Sequence, residues 1–345
     1  MVGHTVGDTE QMEPGTPEWL GQVTEEIIDP GRPIIDTHHH LWPETGWLPY
    51  GIDDLAADTG SGHNIVATVF IECRASYLPD GPRHMKPVGE TQFVAAQATR
   101  LAEQHPDAAP IAGIVAHADL ALGDQLGEVL DAHEAAAGGL FRGIRDPLSS
   151  PLEPETLRIP GRAAPGRFAE EAFREGVREL GRRGLTYDTW HYHHQNTEML
   201  ELAHAAPDTM MVLDHFGTPL GVGRFAGRRD EIFTEWAVGV ARLATCDNIV
   251  AKLGGLAMPD NGFGWHENPK PPTSDEFVSA QARYYHHTIE CFGPERCMFE
   301  SNFPIDRYSL SYPVLWNGFK KLSAGYSPDE QSAMFEGTAR RIYRL

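Results

Sequence analysis

Eight short apolar runs rich in β-branched residues punctuate the chain, and stretches with helical spacing separate most of them. The runs cover residues 34–37, 65–71, 111–116, 140–144, 185–189, 210–213, 248–253 and 297–300. Each has the length and near-continuous apolar character of a strand buried on both faces. Between them, apolar residues recur three and four apart. Phe173, Val177 and Leu180 mark one helical face; Phe233, Trp236, Val240 and Leu243 a second; Tyr285, Ile289 and Phe292 a third. A last helix with Leu315, Phe319 and Leu322 follows the eighth run. Strands alternating with helices imply a parallel sheet, and eight such units imply a (β/α)8 TIM barrel. A doubly wound open sheet would want a glycine-rich phosphate turn after its first strand, and this chain has His38-His39-His40 there.

At 345 residues the chain has room for one barrel of residues 31–345, preceded by an arm of residues 1–30 in which Thr16-Pro17-Glu18-Trp19-Leu20 reads as a short helix start. Hydrophobic residues make up 41% and charged residues 22%, enough apolar material for a large core. The net charge of −21 argues against a nucleic-acid or anionic-membrane surface. It does not argue against an anionic small molecule, because a few arginines suffice for a local positive pocket. Cys73, Cys246, Cys291 and Cys297 form no C-x-x-C pair and read as reduced thiols. The polar, acidic residues 1–26 carry no apolar segment of the signal-peptide or membrane-spanning kind. The expectation is a soluble cytoplasmic protein whose partners are a small-molecule substrate and a second copy in a homodimer.

A barrel places its chemistry at the C-terminal ends of its strands. Read in order, those ends carry Asp36, His38 and His40; Glu72 and Arg74; His117 and Asp119; Arg142, Arg145 and Asp146; His191, His193 and His194; Asp214 and His215; Lys252; and Glu300-Ser301-Asn302. Histidines at four or five of eight ends are hard to explain as packing. His38 and His40 fall on one face of a strand, a ready bidentate claw for a divalent metal. Arg142 and Arg145 are three apart, so only one of them can enter the pocket without a bend. Lys252 reads equally as a pocket cation or a solvated lysine. Trp190 and Tyr192 read as pocket walls or as core. Two Pro/Gly-rich stretches, residues 77–89 and 258–274, follow strand ends as candidate lids, and His266 in the second is a candidate lid contact.

Four motifs carry a resemblance to a known family: Ile35-Asp36-Thr37-His38-His39-His40-Leu41-Trp42, Phe141-Arg142-Gly143-Ile144-Arg145, Val212-Leu213-Asp214-His215-Phe216-Gly217 and Phe299-Glu300-Ser301-Asn302-Phe303-Pro304. From Ile34 onward the chain resembles the amidohydrolase superfamily, in the branch of 2-pyrone-4,6-dicarboxylate lactonase and the sugar lactonases. The resemblance implies metal ligands at His38, His40 and His215, with His193 as the fifth-strand histidine, in a register uncertain by one or two residues. It implies one divalent metal, Zn²⁺ or Mn²⁺ by ligand type, although some lactonases of the branch work without metal. It also favours Arg145 as a clamp on a substrate carboxylate or carbonyl.

One position departs from the pattern. The family has Ser-Asp-x-Pro at the eighth strand, where the aspartate binds metal and acts as base, and this chain has Asn302. An amide cannot take a proton from water. Asp214, a histidine and Glu300 are the alternative bases; Glu300 is favoured, since it shares a strand face with Asn302. The leading function is a metal-assisted hydrolase of a small lactone or related cyclic ester or amide. A decarboxylase or other lyase of the same superfamily gains from Asn302, because removing CO₂ needs no activated water. A barrel that binds a small molecule without turnover is the third reading.

Overall fold

The computed structural model describes residues 12–345. Eight parallel strands stand in sequential order: β1 Ile34–His39, β2 Ile65–Ile71, β3 Ile111–Ala116, β4 Phe141–Arg145, β5 Thr186–Thr189, β6 Met211–Leu213, β7 Ile249–Leu253 and β8 Cys297–Phe299. β8 returns to β1: Asn302 N donates to His38 O at 2.9 Å and His40 N to Phe303 O at 2.8 Å. The architecture is the expected (β/α)8 barrel, with helices such as Val88–Gln104, Glu171–Arg182, Arg229–Leu243 and Ser274–Phe292 between strands.

Period-two alternation sorts the strand residues into two cores. Outward side chains such as Phe70, Ile114, Tyr187, Leu213 and Phe299 pack under the helices. Inward ones, among them Ile35, Val69, Ile71, Val115, Val212, Val250 and Met298, fill the barrel, and Ile342 and Tyr343 of the C-terminal helix Thr338–Tyr343 plug its lower end. The next inward positions, two residues further on, are Asp214, Lys252 and Glu300, all fully buried. A layer of charge therefore sits directly on an apolar plug.

Residues 12–30 include a short helix, Pro17–Leu20, capped by Thr16 Oγ1. Trp19 Nε1 donates to Asn268 O at 3.2 Å, and Ser274 N donates to Glu25 at 2.7 Å, so this segment lies against the connection after β7. Residues 1–11 of the expected arm lie outside the described residues. All four cysteines are unpaired. Among the described residues, no helix is long and apolar enough to cross a membrane.

Candidate active site

Strict alternation from Ile35 would leave His38 facing outward and put Asp36 on the same face as His38 and His40. A register irregularity between Asp36 and His39 changes this. His38 and His40 turn inward, while Asp36 stays on the outside, where it accepts hydrogen bonds from Ser301 N (2.9 Å), Ser301 Oγ (2.6 Å) and Tyr312 Oη (3.0 Å). It ties β1 to the segment after β8 and takes no part in the pocket. His38 and His40 still share a face, their ring centroids 4.9 Å apart.

Glu300 organises the centre. Its Oε1 lies 2.7 Å from His215 Nδ1 and its Oε2 2.9 Å from His38 Nδ1. It also accepts from His215 N at 3.2 Å. The two imidazole centroids are 4.5 Å apart. His40 Nδ1 faces Ile71 O at 2.8 Å, and a carbonyl only accepts, so this nitrogen carries the proton. Burial, reinforced by Lys252 at His38 and by Arg145 at His40, pushes both histidines well below the ordinary imidazole pKa and keeps them neutral. With Nδ1 committed to a carbonyl in His40 and to a carboxylate in His215, Nε2 is the atom each of these two presents. His38 Nδ1 lies between Glu300 Oε2 and the Lys252 ammonium, and its Nε2 faces Arg145. A carboxylate or carbonyl behind each imidazole is the outer-shell pattern of metal-ligating histidines. The ligand atoms of His38, Asp214 and His215 lie within 4.8 Å of one another. The donor chemistry suits a divalent ion.

Two cations are built into the same layer. Lys252 Nζ lies 3.0 Å from Asp214, 3.1 Å from Asp188 and 3.3 Å from His38 Nδ1. Burial alone would depress it, but Asp214, Asp188 and Glu300 hold its pKa above the usual lysine value. Arg145 bridges two strands: Nε donates to Glu72 Oε1 at 3.0 Å, Nη1 to Asp214 at 3.3 Å and to His38 Nε2 at 3.3 Å, and Nη2 to the Glu72 carbonyl. Arg162 reaches the same carboxylate at 2.8 and 3.0 Å. Burial favours a neutral Glu72, yet Arg162 and Arg145 hold its pKa down at about 2.

Above this layer opens a cavity of about 270 Å³. His40, His215, Arg145, Arg74, Arg162 and Asn302 supply its polar wall; Trp42, Trp47, Trp190, Met258 and Ile305 are among its apolar ones. Among the described residues, no carboxylate lines it. His215 is held there by left-handed backbone at His215 and Phe216 (φ 52° and 58°), pinned by Trp236 Nε1 donating to Phe216 O at 2.7 Å. Gly255, at φ 73°, lets the β7 loop pass close behind: a Cβ there would lie 2.2 Å from His215 Nδ1.

Several expectations need correction. His193 is not brought to the cluster. The chain leaves β5 at Thr189 and carries His193 into a turn, where its Nδ1 accepts from Leu220 N and its ring packs on Phe225. The inward residue at that strand end is Asp188. Glu300 does not reach the cavity; it lies behind it, against His38 and His215. Asp214 and Lys252 likewise neutralise one another below the cavity floor. Arg142 stays near the strand's other end, donating to Gly139 O and Ala112 O. Arg145 lines the cavity, but each of its nitrogens already has a protein acceptor, and the alternative partner Asp146 is taken by Arg167 at 2.9 Å. Trp190 is a cavity wall; Tyr192 is core beside it, centroids 6.3 Å apart. His266 sits in the β7 loop, its Nε2 3.9 Å from Glu267, and is not a cavity wall. Asn302 lines the cavity while its Nδ2 donates to Asp306 at 2.9 Å.

Arg162 escaped sequence reasoning. It lies in a long irregular connection after β4, with no periodicity to distinguish it from a solvated arginine. Glu72 and Arg74 were visible as strand-end residues, but nothing in the sequence pairs Glu72 with two guanidinium groups.

The fold and the centre together define a barrel enzyme with a histidine–carboxylate site at the C-terminal strand ends. The family model for amidohydrolases matches residues 35–345, and the chain belongs to that family. It is 32% identical over 334 residues to the uncharacterized protein y4mH of Sinorhizobium fredii, covering 90% of this chain and 98% of that one. It is 27% identical over 325 residues to an L-fucono-1,5-lactonase of Burkholderia multivorans, covering 90% and 96%. Among solved structures it is similar to a zinc-bound amidohydrolase from Burkholderia multivorans, with a TM-score of 0.69 at 23% identity, covering 90% of this chain and 99% of that one. At that identity the likeness speaks for the fold alone.

Proposed function

We propose that the protein is a hydrolase that opens a small lactone, of the sugar-lactone kind, or a related cyclic ester. The observation that carries this reading is Glu300 on Nδ1 of His215, which leaves the His215 Nε2 lone pair for a small, arginine-rimmed cavity with no carboxylate in its wall among the described residues. The size suits a single ring, and the aromatic wall offers it a flat face. The relative that acts on a fuconolactone supports the same substrate class.

The chain's own groups account for the steps. A water beside His215 Nε2 gives up a proton to it as its oxygen attacks the ring carbonyl. Arg145, Arg162 and Arg74 make the surroundings positive where the tetrahedral oxyanion and then the product carboxylate develop. The ring C–O bond breaks, and the proton held by the imidazole goes to the leaving alkoxide. Zn²⁺ or Mn²⁺ held by His38, His40 and Asp214 would lower the pKa of a bound water and polarise the carbonyl, and would leave the His215 Nε2 lone pair free to take the proton. Before His38 can ligate, its Nε2 must give up the contact with Arg145.

Decarboxylation is the second reading, favoured by the same lack of a carboxylate base on the cavity wall. A panel of five- and six-membered lactones, assayed by acid release, against aromatic carboxylates, assayed by CO₂ release, separates the two. Acid release well above the spontaneous rate is expected; CO₂ release alone would overturn the hydrolase reading. Elemental analysis tests the metal separately. About one divalent ion per chain is expected, lost when His38→Ala and His40→Ala are combined; equal metal in both proteins would contradict that ligand set. Four unpaired cysteines fit a reducing, cytoplasmic location.

A further inference from the structure

A second cleft, of about 720 Å³, opens beside the cavity and shares two of its walls, Arg74 and Arg162. Its lining includes five cationic side chains (Arg74, Arg83, Lys86, Arg162 and Arg167) and three carboxylates (Asp119, Asp146 and Glu170). The carboxylates are not spread among the cations. All three gather on Arg167, with Asp146 at 2.9 Å, Asp119 hydrogen-bonded and Glu170 at 4.0 Å. Arg162 is committed to Glu72. Arg74, Arg83 and Lys86 are left with no acidic partner within 4.0 Å among the described residues, and the only hydrogen bond of the Lys86 ammonium is to Pro79 O. In a chain of net charge −21, three uncompensated cations on one cleft wall make a local field opposite to the molecule's own.

Tyr77 and His117 also line the wall. Tyr77 Oη is buried without a partner, its ring stacked on His117 at 6.4 Å. His117 Nδ1 donates to Arg145 O at 3.0 Å. The inner cavity is smaller than the usual range for a ligand pocket, whereas cavity and cleft together fall within it.

We propose that this cleft binds an oxyanion, a carboxylate or a phosphate, carried as an extension of the molecule whose ring occupies the inner cavity. Arg83 and Lys86 hold the extension, and Arg74 stands at the junction between the two spaces. The ring's fate rests on the hydrolase reading; the oxyanion site does not.

Calorimetric titration of the full chain at low salt tests this with inorganic phosphate and, separately, succinate. At least one probe is expected to bind wild type, about tenfold or more weaker in the Arg83→Ala/Lys86→Ala protein and unchanged in His215→Asn. The tighter probe identifies the oxyanion. An unchanged urea midpoint in the double variant shows that the loss is not unfolding. Binding of neither probe, or equal affinity in wild type and the double variant, would overturn the site. In kinetics, wild type should prefer a lactone bearing a carboxylate or phosphate over the neutral ring, and the double variant should lose that preference. Probe binding with no such preference would overturn the assignment of the cleft to the substrate. Probe binding with no lactone turnover would reject the hydrolase reading and leave the oxyanion site standing.

Discussion

Glu300 has no solvent exposure and two imidazoles as partners, and that pairing sets what each neighbouring residue can do. An Nδ1–H held by a carboxylate leaves Nε2 as the only lone pair, whether it meets a proton or a metal. Glu300→Gln keeps the shape but offers its Oε1 or an N–H at random to His38 and His215. We expect kcat to fall by about 10² to 10⁴, the usual worth of a positioned acid–base group, with the fold intact by circular dichroism. Full activity would mean the pair is only structural. Asn302→Asp should not be required for activity, because Asn302 is engaged with Asp306. Arg145 poses a different test. Arg145→Leu leaves Glu72 and Asp214 buried with one cation fewer, and we expect a loss of about 3–5 kcal/mol in urea denaturation. The sequence displayed the departure at Asn302 and the histidine pair at His38 and His40, since both lie in contiguous motifs. It could not display the Glu72–Arg145–Asp214 chain, whose members are brought together only by barrel closure.

At the level of elements, the eight strands were legible because parallel strands are apolar on both faces and end at polar residues. The register irregularity in β1 was not legible, since no glycine or proline marks it, and it is what turns His38 and His40 inward. His193 misled for a related reason: a run of three histidines in five residues suggests a strand end, whereas the strand has already ended at Thr189. The β7 loop offers a test of how tightly one element supports another. Gly255→Ala adds a Cβ where both the positive φ and the nearby His215 ring oppose it. We expect a stability loss of about 1–3 kcal/mol. A fall in kcat larger than that of a stability-matched core variant should accompany it, because the displaced ring is the one facing the cavity. Wild-type kinetics would mean that His215 is not held by this contact.

Across the whole molecule, buried histidines make stability depend on pH in one direction. Burial lowers His133 and His191 from 6.5 to about 4. The unfolded chain therefore takes up protons between pH 6.5 and 4 while the folded chain does not, and stability falls as pH drops through that window. Each of the two contributes up to about 3 kcal/mol. Burial raises Asp36 and Asp58 to about 6 and Glu90 to about 8, which acts in the opposite sense, so the histidine contribution is read by difference. Lowering the pH from 7.5 to 5 should depress the urea midpoint more in wild type than in His133→Gln/His191→Gln, and equal changes would contradict this. The barrel's larger task is to carry residues from seven strand ends into one charged layer beneath a small cavity. The claim that this layer is a hydrolytic centre is tested most directly by kcat/KM for a six-membered lactone, measured by acid release, in wild type and His215→Asn. Turnover far above the spontaneous rate in wild type, reduced at least about 10²-fold in His215→Asn, is the predicted result. Equal kcat/KM in the two proteins would contradict it.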